Sequence, residues 1–283
     1  MVPYKEAPLG ASCAEGMTPE IFHNLKHIVT YIGRKLKLFD EAPKTGRPLA
    51  IKQEDAITFA LYQHRSTRGT KISVYRDFKK KLNCSYNTFV CSVNRYAIVA
   101  LRILFMLMRM HRSDAHLIKL IDATDIPVCL NKNAKNHRTM RGVSGWGHSG
   151  KGFYYGLKLT LCRDVEGRLL SFTLSLPRTN DRRLFKKVAG DMDGIFVGDA
   201  GYVSKELEKD MYIEGKRIAL IKPYKKMKKL ATALQIAIYN TRFKIEFDFR
   251  NLKLFHGLEN HFVRSLNGGF ANIIFAMLSF VLA

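Results

Sequence analysis

Residues 239–253, read as YNTRFKIEFDFRNLK, constrain the fold most, because they place charges in the middle of an apolar helical face. At about 100° per residue, polar side chains fall on one stripe, within roughly 60° of Tyr239 on one side and 20° on the other. The stripe consists of Tyr239, Arg242, Glu246, Arg250 and Lys253. Unpaired buried charge is costly, so this pattern predicts a polar partner such as a metal ion or a phosphate. The alternative is a solvated ladder of ion pairs, since Arg242 and Glu246 are four residues apart.

The stripe has apolar neighbours on both sides, and the back of the helix is polar. One border carries Ile238, Ile245, Phe249 and Leu252, and the other carries Phe243, Phe247 and Leu254. The outward face is expected to hold Asn240, Thr241, Lys244, Asp248 and Asn251. The pattern therefore predicts one helix that carries its charges towards the interior and turns Asp248 to solvent.

The spacing within this stripe resembles a known signature. Two, three and six residues separate Tyr239, Arg242, Glu246 and Lys253, as in the Tyr–Arg–Glu–Lys signature of DDE insertion-sequence transposases. The resemblance implies that Glu246 is the third catalytic carboxylate and that the basic residues hold DNA near the cut. It requires two further aspartates, on strands that come earlier in the chain.

The charge balance independently predicts a polyanionic partner. The 283 residues include 47 Lys and Arg against 24 Asp and Glu, a net charge of +23. Nucleic acid is the commonest partner of such a chain, although ribosomal and membrane-surface proteins share this balance. We find no apolar run of the ~18 residues that a membrane span needs, and residues 268–283 are expected to form a buried helix. The widely spaced cysteines indicate reduced intracellular thiols: Cys13, Cys84, Cys91, Cys129 and Cys162.

Residues 1 to about 115 are expected to be helical and basic. The pattern predicts helices that start at Thr18-Pro19 and end near Phe39, and at 52–64, 73–82 and 86–110. The last is a long, largely apolar rod with a polar edge formed by Arg95, Arg102 and Arg109. Short helices with tight turns fit a helix-turn-helix-like DNA-binding unit and a plain dimerisation bundle equally well.

From His116 onwards the pattern changes to strands alternating with helices. Strands are expected at 117–128, 153–162, 168–176, 194–199 and 217–223. Helices are expected at 181–190, at 204–214, over the charged stripe, and after Asn267-Gly268-Gly269. Residues 131–152 are expected to form a basic, Gly-rich loop that holds the only tryptophan, Trp146.

This order of elements resembles the ribonuclease H-like fold of DDE transposases and integrases. The predicted fold class is therefore α/β, with a ribonuclease H-like mixed sheet flanked by helices and preceded by an all-helical N-terminal domain. The expected boundaries are 1–115 for a DNA-binding or dimerisation region and 116–283 for the catalytic domain.

Two aspartates on the first strand are candidates for the first catalytic carboxylate. Asp122 and Asp125 are three residues apart and so point to opposite faces of a strand. In the family the aspartate directly after the apolar run is the ligand, and this resemblance favours Asp122. Asp125 stays open as an alternative, or as a neighbour that caps the strand end.

The second carboxylate is expected where the fourth strand ends, in Gly198-Asp199-Ala200-Gly201-Tyr202. The family pattern is Gly-Asp, one residue, Gly-Tyr, and the chain matches it, although the intervening position is commonly basic in the family and is Ala200 here. The alternative is that Asp199 caps the next helix.

Asp122, Asp199 and Glu246 together would form a site for phosphoryl transfer. Three carboxylates suit two Mg²⁺ ions, with Mn²⁺ as a substitute, because hard cations prefer oxygen ligands. Arg242, Arg250, Lys253 and Tyr239 are expected to contact DNA beside them. The lysines before the helix, Lys225 and Lys226 among them, either follow a phosphate backbone or form a solvated charge run. Trp146 either stacks on an unpaired base or anchors packing.

The resemblance implies a transposase that cleaves the ends of its mobile element and joins them to target DNA. It implies binding to double-stranded DNA at terminal inverted repeats, a homodimer on DNA, no membrane, and a place in the prokaryotic cytoplasm at the nucleoid. Two alternatives remain at this point: a ribonuclease H-like nuclease or recombinase that cuts without joining, and an inactive DNA-binding relic of a transposase.

Overall fold

The structure is a computed structural model that describes residues 20–39, 49–66, 69–199, 202, 205–221, 232–259 and 263–283. Several sequence predictions lie outside these residues. They are the helix start at Thr18-Pro19, Ala200 and Gly201 of the second aspartate motif, and the lysine-rich link with Lys225 and Lys226.

The N-terminal part of the described chain is helical, as predicted. Its helices are α1 (Glu20–Lys35), α2 (Gln53–Arg65), α3 (Lys71–Phe78), α4 (Tyr86–Arg95) and α5 (Ala97–Ser113). Short polar side chains fix where two of them begin. Thr70 accepts a hydrogen bond from the Ser73 amide, and Ser85 accepts one from Thr88, as N-cap residues do.

The predicted long rod over 86–110 is wrong in one respect, because it is broken between α4 and α5. Tyr96 leaves helical geometry at φ −84°, ψ 5° and bonds back to both Asn94 and Ser92. By length and composition, Tyr86–Ser113 would also suit a membrane span, although Arg95, Arg102 and Arg109 interrupt its apolar run. In the structure both helices bury side chains in the protein core, among them Phe89, Val93, Ile103 and Leu104.

The described strands form one mixed sheet. They are β1 (Ile118–Pro127), β2 (Gly145–Ser149), β3 (Gly152–Asp164), β4 (Leu169–Ser175), β5 (Gly194–Gly198) and β6 (Arg217–Ile221). Their order is β2-β3-β1-β5-β6, with β4 also paired to β3. The β1–β3 pairing is antiparallel, whereas β1–β5 and β5–β6 are parallel. The predicted α/β class with a ribonuclease H-like mixed sheet is confirmed.

Strand β2 was not predicted, because Gly145–Ser149 lies within the expected basic loop. It pairs with the start of β3 in a hairpin, with Trp146 opposite Tyr155. Its five residues include two glycines and no β-branched residue, so the sequence here carries no signal for a strand. Trp146 therefore lies on an edge strand and not in a loop.

Five further helices belong to the described chain: the first four pack against strands, and the last packs mainly against other helices. They are α6 (Asp181–Ala189), α7 (Lys205–Glu214), α8 (Ala233–Asn240), α9 (Phe243–Leu254) and α10 (Leu266–Val281). The last of these begins earlier than predicted, since Gly268 and Gly269 lie inside it. Ser265 caps it by accepting from the Gly268 amide. A Cβ at Gly269 would lie 2.9 Å from the Met140 sulphur, so this glycine serves close packing and does not end the helix.

Strand β1 lies between two apolar layers. On one side Leu120 joins a core that includes Ile245 of α9 and Phe275 of α10. On the other side Ile121 packs with Phe185 and Phe196. Helix α10 also packs against α2, α4 and α5, so the N-terminal helices and the sheet share one core. Alternation along β1 thus turns Asp122 towards α9.

Candidate active site

Asp122 and Asp199 lie on adjacent parallel strands. The register of β1 with β5 pairs Ile118 with Ile195 and Leu120 with Val197. Continued by two residues, this register brings Asp199 level with Asp122, just beyond the last residue of β5. The carboxyl end of β5 thus delivers the second predicted carboxylate beside the first.

Glycine at position 198 allows the two strands to approach here. A Cβ on Gly198 would lie 3.0 Å from the Ile121 side chain, closer than most real contacts. Just after it, the amide of Tyr202 donates to the carbonyl of Asp199 at 3.0 Å, and the buried Tyr202 ring packs beside Ile121. Helix α7 is described from Lys205 onwards.

The charged stripe does not lie on one helix, contrary to the prediction. Helix α8 ends at Asn240 and α9 begins at Phe243. Between them the amides of Thr241, Arg242, Lys244 and Ile245 all bond three residues back and not four, which tightens the chain into a 3-10 turn. Arg242 therefore lies in a turn, whereas Glu246 lies in the first turn of α9.

Only one of the two predicted apolar borders of the stripe is buried. Ile245, Phe249 and Leu252 face the core, whereas Phe243, Phe247 and Leu254 are more than half exposed. Their exposed fractions are 53%, 51% and 63%. The stripe thus runs along the edge where α9 meets solvent, which leaves the carboxylate of Glu246 accessible.

The prediction that Asp248 faces solvent is wrong. Asp248 is buried and accepts a short hydrogen bond from Arg163 of β3, whose guanidinium also donates to the carbonyl of Asp164. This buried pair fixes α9 on the sheet two residues from Glu246. The helical wheel places Asp248 on its polar side, and the available signal for burial of Asp248 is Arg163, at the end of the largely apolar strand β3.

Arg242 connects two of the three predicted carboxylates. One terminal nitrogen lies 2.9 Å from Asp122 Oδ2, and the other lies 3.0 Å from Glu246 Oε1. The predicted ion pair between Arg242 and Glu246 thus exists, but Arg242 also pairs with Asp122 on the sheet. Asp122 and Glu246 are consequently no farther apart than two hydrogen bonds and the width of one guanidinium.

The carboxyl group of Asp122 lies close to charges of both signs, namely Arg242, Glu246 and Asp199. Burial, together with the negative charges of Glu246 and Asp199, raises its pKa to about 6. The guanidinium of Arg242 and the amide of Ala123, which donates to Oδ1 at 2.8 Å, work in the opposite direction. A carboxyl that is buried among other carboxylates is a feature of sites that bind cations or transfer protons.

Asp125 has different partners from Asp122. Lys253 donates to Asp125 at 3.0 Å and also pairs with Glu259 at 2.7 Å. Burial works to raise the pKa of Asp125, but the hydrogen bond and charge of Lys253 outweigh it and lower the pKa. Lys253 is thus engaged between two carboxylates, with 12% of its side chain exposed, and its contact with DNA stays a prediction.

The other predicted DNA contacts lie in different surroundings. Arg250 is exposed on α9, Tyr239 is half-buried at the end of α8, and Lys225 and Lys226 lie outside the described residues. Trp146 contacts the ring of Tyr155 edge-on at 5.5 Å yet keeps 38% of its surface exposed. Trp146 therefore both anchors the hairpin and presents part of its indole to solvent.

The donor set fits a divalent metal in kind. Three carboxylates are hard oxygen ligands, and the mutual repulsion at Asp122 is what a cation would relieve. Among the described residues, however, no three Asp, Glu, His or Cys side chains are grouped closely enough to hold a metal ion. Arg242 explains part of the difference between the expected metal site and the observed arrangement, because its guanidinium lies between Asp122 and Glu246.

Comparison with known proteins adds one match. A family model described as a transposase DDE domain matches residues 112–266, which include both aspartates, Glu246 and the whole sheet. No curated protein matches the chain.

Proposed function

Because the chain belongs to the family of transposase DDE domains, we propose that it cleaves DNA at the ends of a mobile element and joins them to target DNA. The proposed catalytic residues are Asp122, Asp199 and Glu246. The observation that carries this proposal is the bridge from Arg242 to Asp122 and Glu246, with Asp199 level with Asp122 on the neighbouring strand.

In this proposal the three carboxylates hold divalent cations. When bound, two Mg²⁺ ions, or Mn²⁺, would supply positive charge to activate water or a DNA 3′-hydroxyl and to stabilise the leaving oxygen. The side chain of Asp122 on β1 is 15% exposed, and the pair of Arg163 with Asp248 holds α9 in place, which supports Asp122 and Glu246 as ligands in defined positions. Exposure of the Glu246 carboxylate leaves room for a phosphodiester at the edge of the sheet.

The DNA itself is proposed to lie along the exposed basic side of this edge. Arg250 and the lysine-rich link with Lys225 and Lys226 would contact phosphates, in keeping with the net charge of +23. The exposed part of Trp146 would stack on a base. Residues 1–115 are proposed to bind the terminal inverted repeats and to support a homodimer on DNA, in the prokaryotic cytoplasm at the nucleoid.

A strand-transfer assay with pre-cut element ends tests the joining step. We expect joined products with Mg²⁺, whereas cutting without joining would indicate a ribonuclease H-like nuclease or recombinase. The triple variant Asp122→Ala, Asp199→Ala, Glu246→Ala is expected to bind the same DNA as the wild type and to make no product. A wild-type protein that binds the ends but neither cuts nor joins them would indicate an inactive relic.

A further inference from the structure

Arg242 and the proposed metal ions compete for the same oxygen atoms, and this inference rests on the proposed function. Asp122 has two carboxylate oxygens, and both are used within the chain. Oδ1 accepts from the Ala123 amide at 2.8 Å, and Oδ2 accepts from Arg242 at 2.9 Å. A cation that binds Oδ2 from the side of Glu246 would take the place that the guanidinium now occupies.

The contact of Arg242 with Glu246 leads to the same result. Its other terminal nitrogen lies 3.0 Å from Glu246 Oε1, so one guanidinium occupies the space between two proposed metal ligands. The Nε of Arg242 is buried and has no hydrogen-bond partner among the described residues. The arginine is thus held mainly by the two carboxylates, and its hold weakens when another cation neutralises them.

The surroundings of Arg242 would allow the side chain to move. It lies in the 3-10 turn between α8 and α9, and of the α8 side chains only Ile238 and Tyr239 pack, partly buried, against the core. A rearrangement of this turn would therefore expose few apolar side chains. By contrast α9 is fixed through Ile245, Phe249 and the Arg163–Asp248 pair, so Glu246 keeps its place when Arg242 leaves.

We infer that Arg242 is a built-in cation that neutralises the catalytic carboxylates in the metal-free protein and is displaced by a divalent metal ion. Its release frees a planar guanidinium, which suits phosphate, at the edge of the site. Metal binding would thus prepare the protein for DNA, and the carboxylates would not repel each other before the metal arrives.

The competition predicts that loss of Arg242 strengthens metal binding. Mn²⁺ binding to the full chain without DNA is measured from the electron paramagnetic resonance signal of free Mn²⁺. Arg242→Gln is expected to bind Mn²⁺ at least about fivefold more tightly than the wild type, the low end of typical coupling between sites. Lys244→Gln is the matched control, because it removes one positive charge from the same segment but contacts the Val165 carbonyl and not a carboxylate.

Lys244→Gln is expected to change the affinity for Mn²⁺ less than twofold, and circular dichroism verifies that both variants are folded. Glu246→Gln is expected to weaken Mn²⁺ binding in the wild type and in Arg242→Gln alike. If Glu246→Gln weakens binding but Arg242→Gln binds no more tightly than the wild type, the competition is refuted and the proposed metal site stands. If no variant, including Arg242→Gln, shows Mn²⁺ binding that depends on Glu246, both are refuted.

Discussion

Lys253 pairs with Asp125 at 3.0 Å, and the two side chains are only 12% and 14% exposed. The two aspartates of β1 thus have different partners, because Asp122 pairs with Arg242. Asp125→Asn removes the negative charge beside the half-buried Lys253, which keeps Glu259, so we expect a loss of roughly 1–3 kcal/mol in the free energy of unfolding. Cleavage of element ends should survive.

Asp122→Asn is the matched substitution on the same strand, and we expect it to abolish cleavage while DNA binding persists. Urea unfolding measures the stability of both variants, and a cleavage assay with Mg²⁺ measures their activity. If folded Asp125→Asn were inactive and Asp122→Asn active, Asp125 would be the ligand and our assignment would be wrong.

The buried pair of Arg163 and Asp248 should contribute strongly to stability. Asp248→Asn leaves the guanidinium of Arg163 buried without its counter-charge, so we expect a loss of about 3–5 kcal/mol in the free energy of unfolding. The control is Asp210→Asn, which breaks the exposed pair with Lys186 and should shift the urea transition little. Equal effects of the two substitutions would show that the buried pair does not hold α9.

Much of the fold was predictable because apolar runs and turn residues mark its strands. β1, β3, β4 and β5 end within two residues of their predicted ends, and the order of elements indicated the mixed sheet. The pattern could not reveal β2, whose Gly145 and Gly147 carry no strand signal, or the breaks at Tyr96 and Thr241. Those breaks depend on local hydrogen bonding and on tertiary packing, to which helical periodicity is insensitive.

The sequence suggested members of the candidate site, whose roles stay predictions, but not their contacts. Spacing pointed to Arg242 and Glu246, the family resemblance pointed to Asp122, and the end of a strand pointed to Asp199. The sequence could not show that Arg242 reaches across 120 positions to Asp122, or that Lys253 is engaged by Asp125 and Glu259. A helical wheel places Asp248 on the outward face of α9, because it contains no information about Arg163 on strand β3.

His64 should make the protein less stable in mild acid. The ring is buried, and its Nδ1 lies 2.7 Å from the carbonyl of His256, which accepts the hydrogen bond. Burial lowers the pKa of His64 to about 4, so between pH 6.5 and 4 the unfolded chain binds a proton that the folded one does not. The resulting stability is complete above about pH 6.5 and falls by roughly 3 kcal/mol as the pH approaches 4.

His64→Asn tests this, because an amide nitrogen can replace the Nδ1 donor without titrating. Urea unfolding at pH 7.5 and pH 5.0 should show a smaller loss of stability in the variant than in the wild type. The comparison of the two proteins cancels the contributions of other titrating groups to the pH dependence of stability. One of these groups is Asp122, whose raised pKa increases stability as the pH falls below 6. An identical loss in both proteins would show that His64 is not the group responsible.

DNA binding should depend steeply on salt. If six or more phosphates are contacted, affinity for a duplex with element ends should fall by roughly 10³-fold or more between 50 and 200 mM salt. Fluorescence anisotropy with a labelled duplex measures this slope. A flat response would mean that the positive charge of this chain does not serve DNA binding.

Replacing a proposed ligand by cysteine tests metal ligation most directly. Asp199→Cys substitutes a soft thiolate for a hard oxygen, which Mg²⁺ binds poorly and Mn²⁺ or Cd²⁺ accepts more readily. The control is Asp193→Cys, an exposed position before β5, which should cleave normally with Mg²⁺. We predict that Asp199→Cys binds element ends, fails to cleave them with Mg²⁺ and recovers cleavage with Mn²⁺ or Cd²⁺; full cleavage by Asp199→Cys with Mg²⁺ would contradict metal binding by these carboxylates.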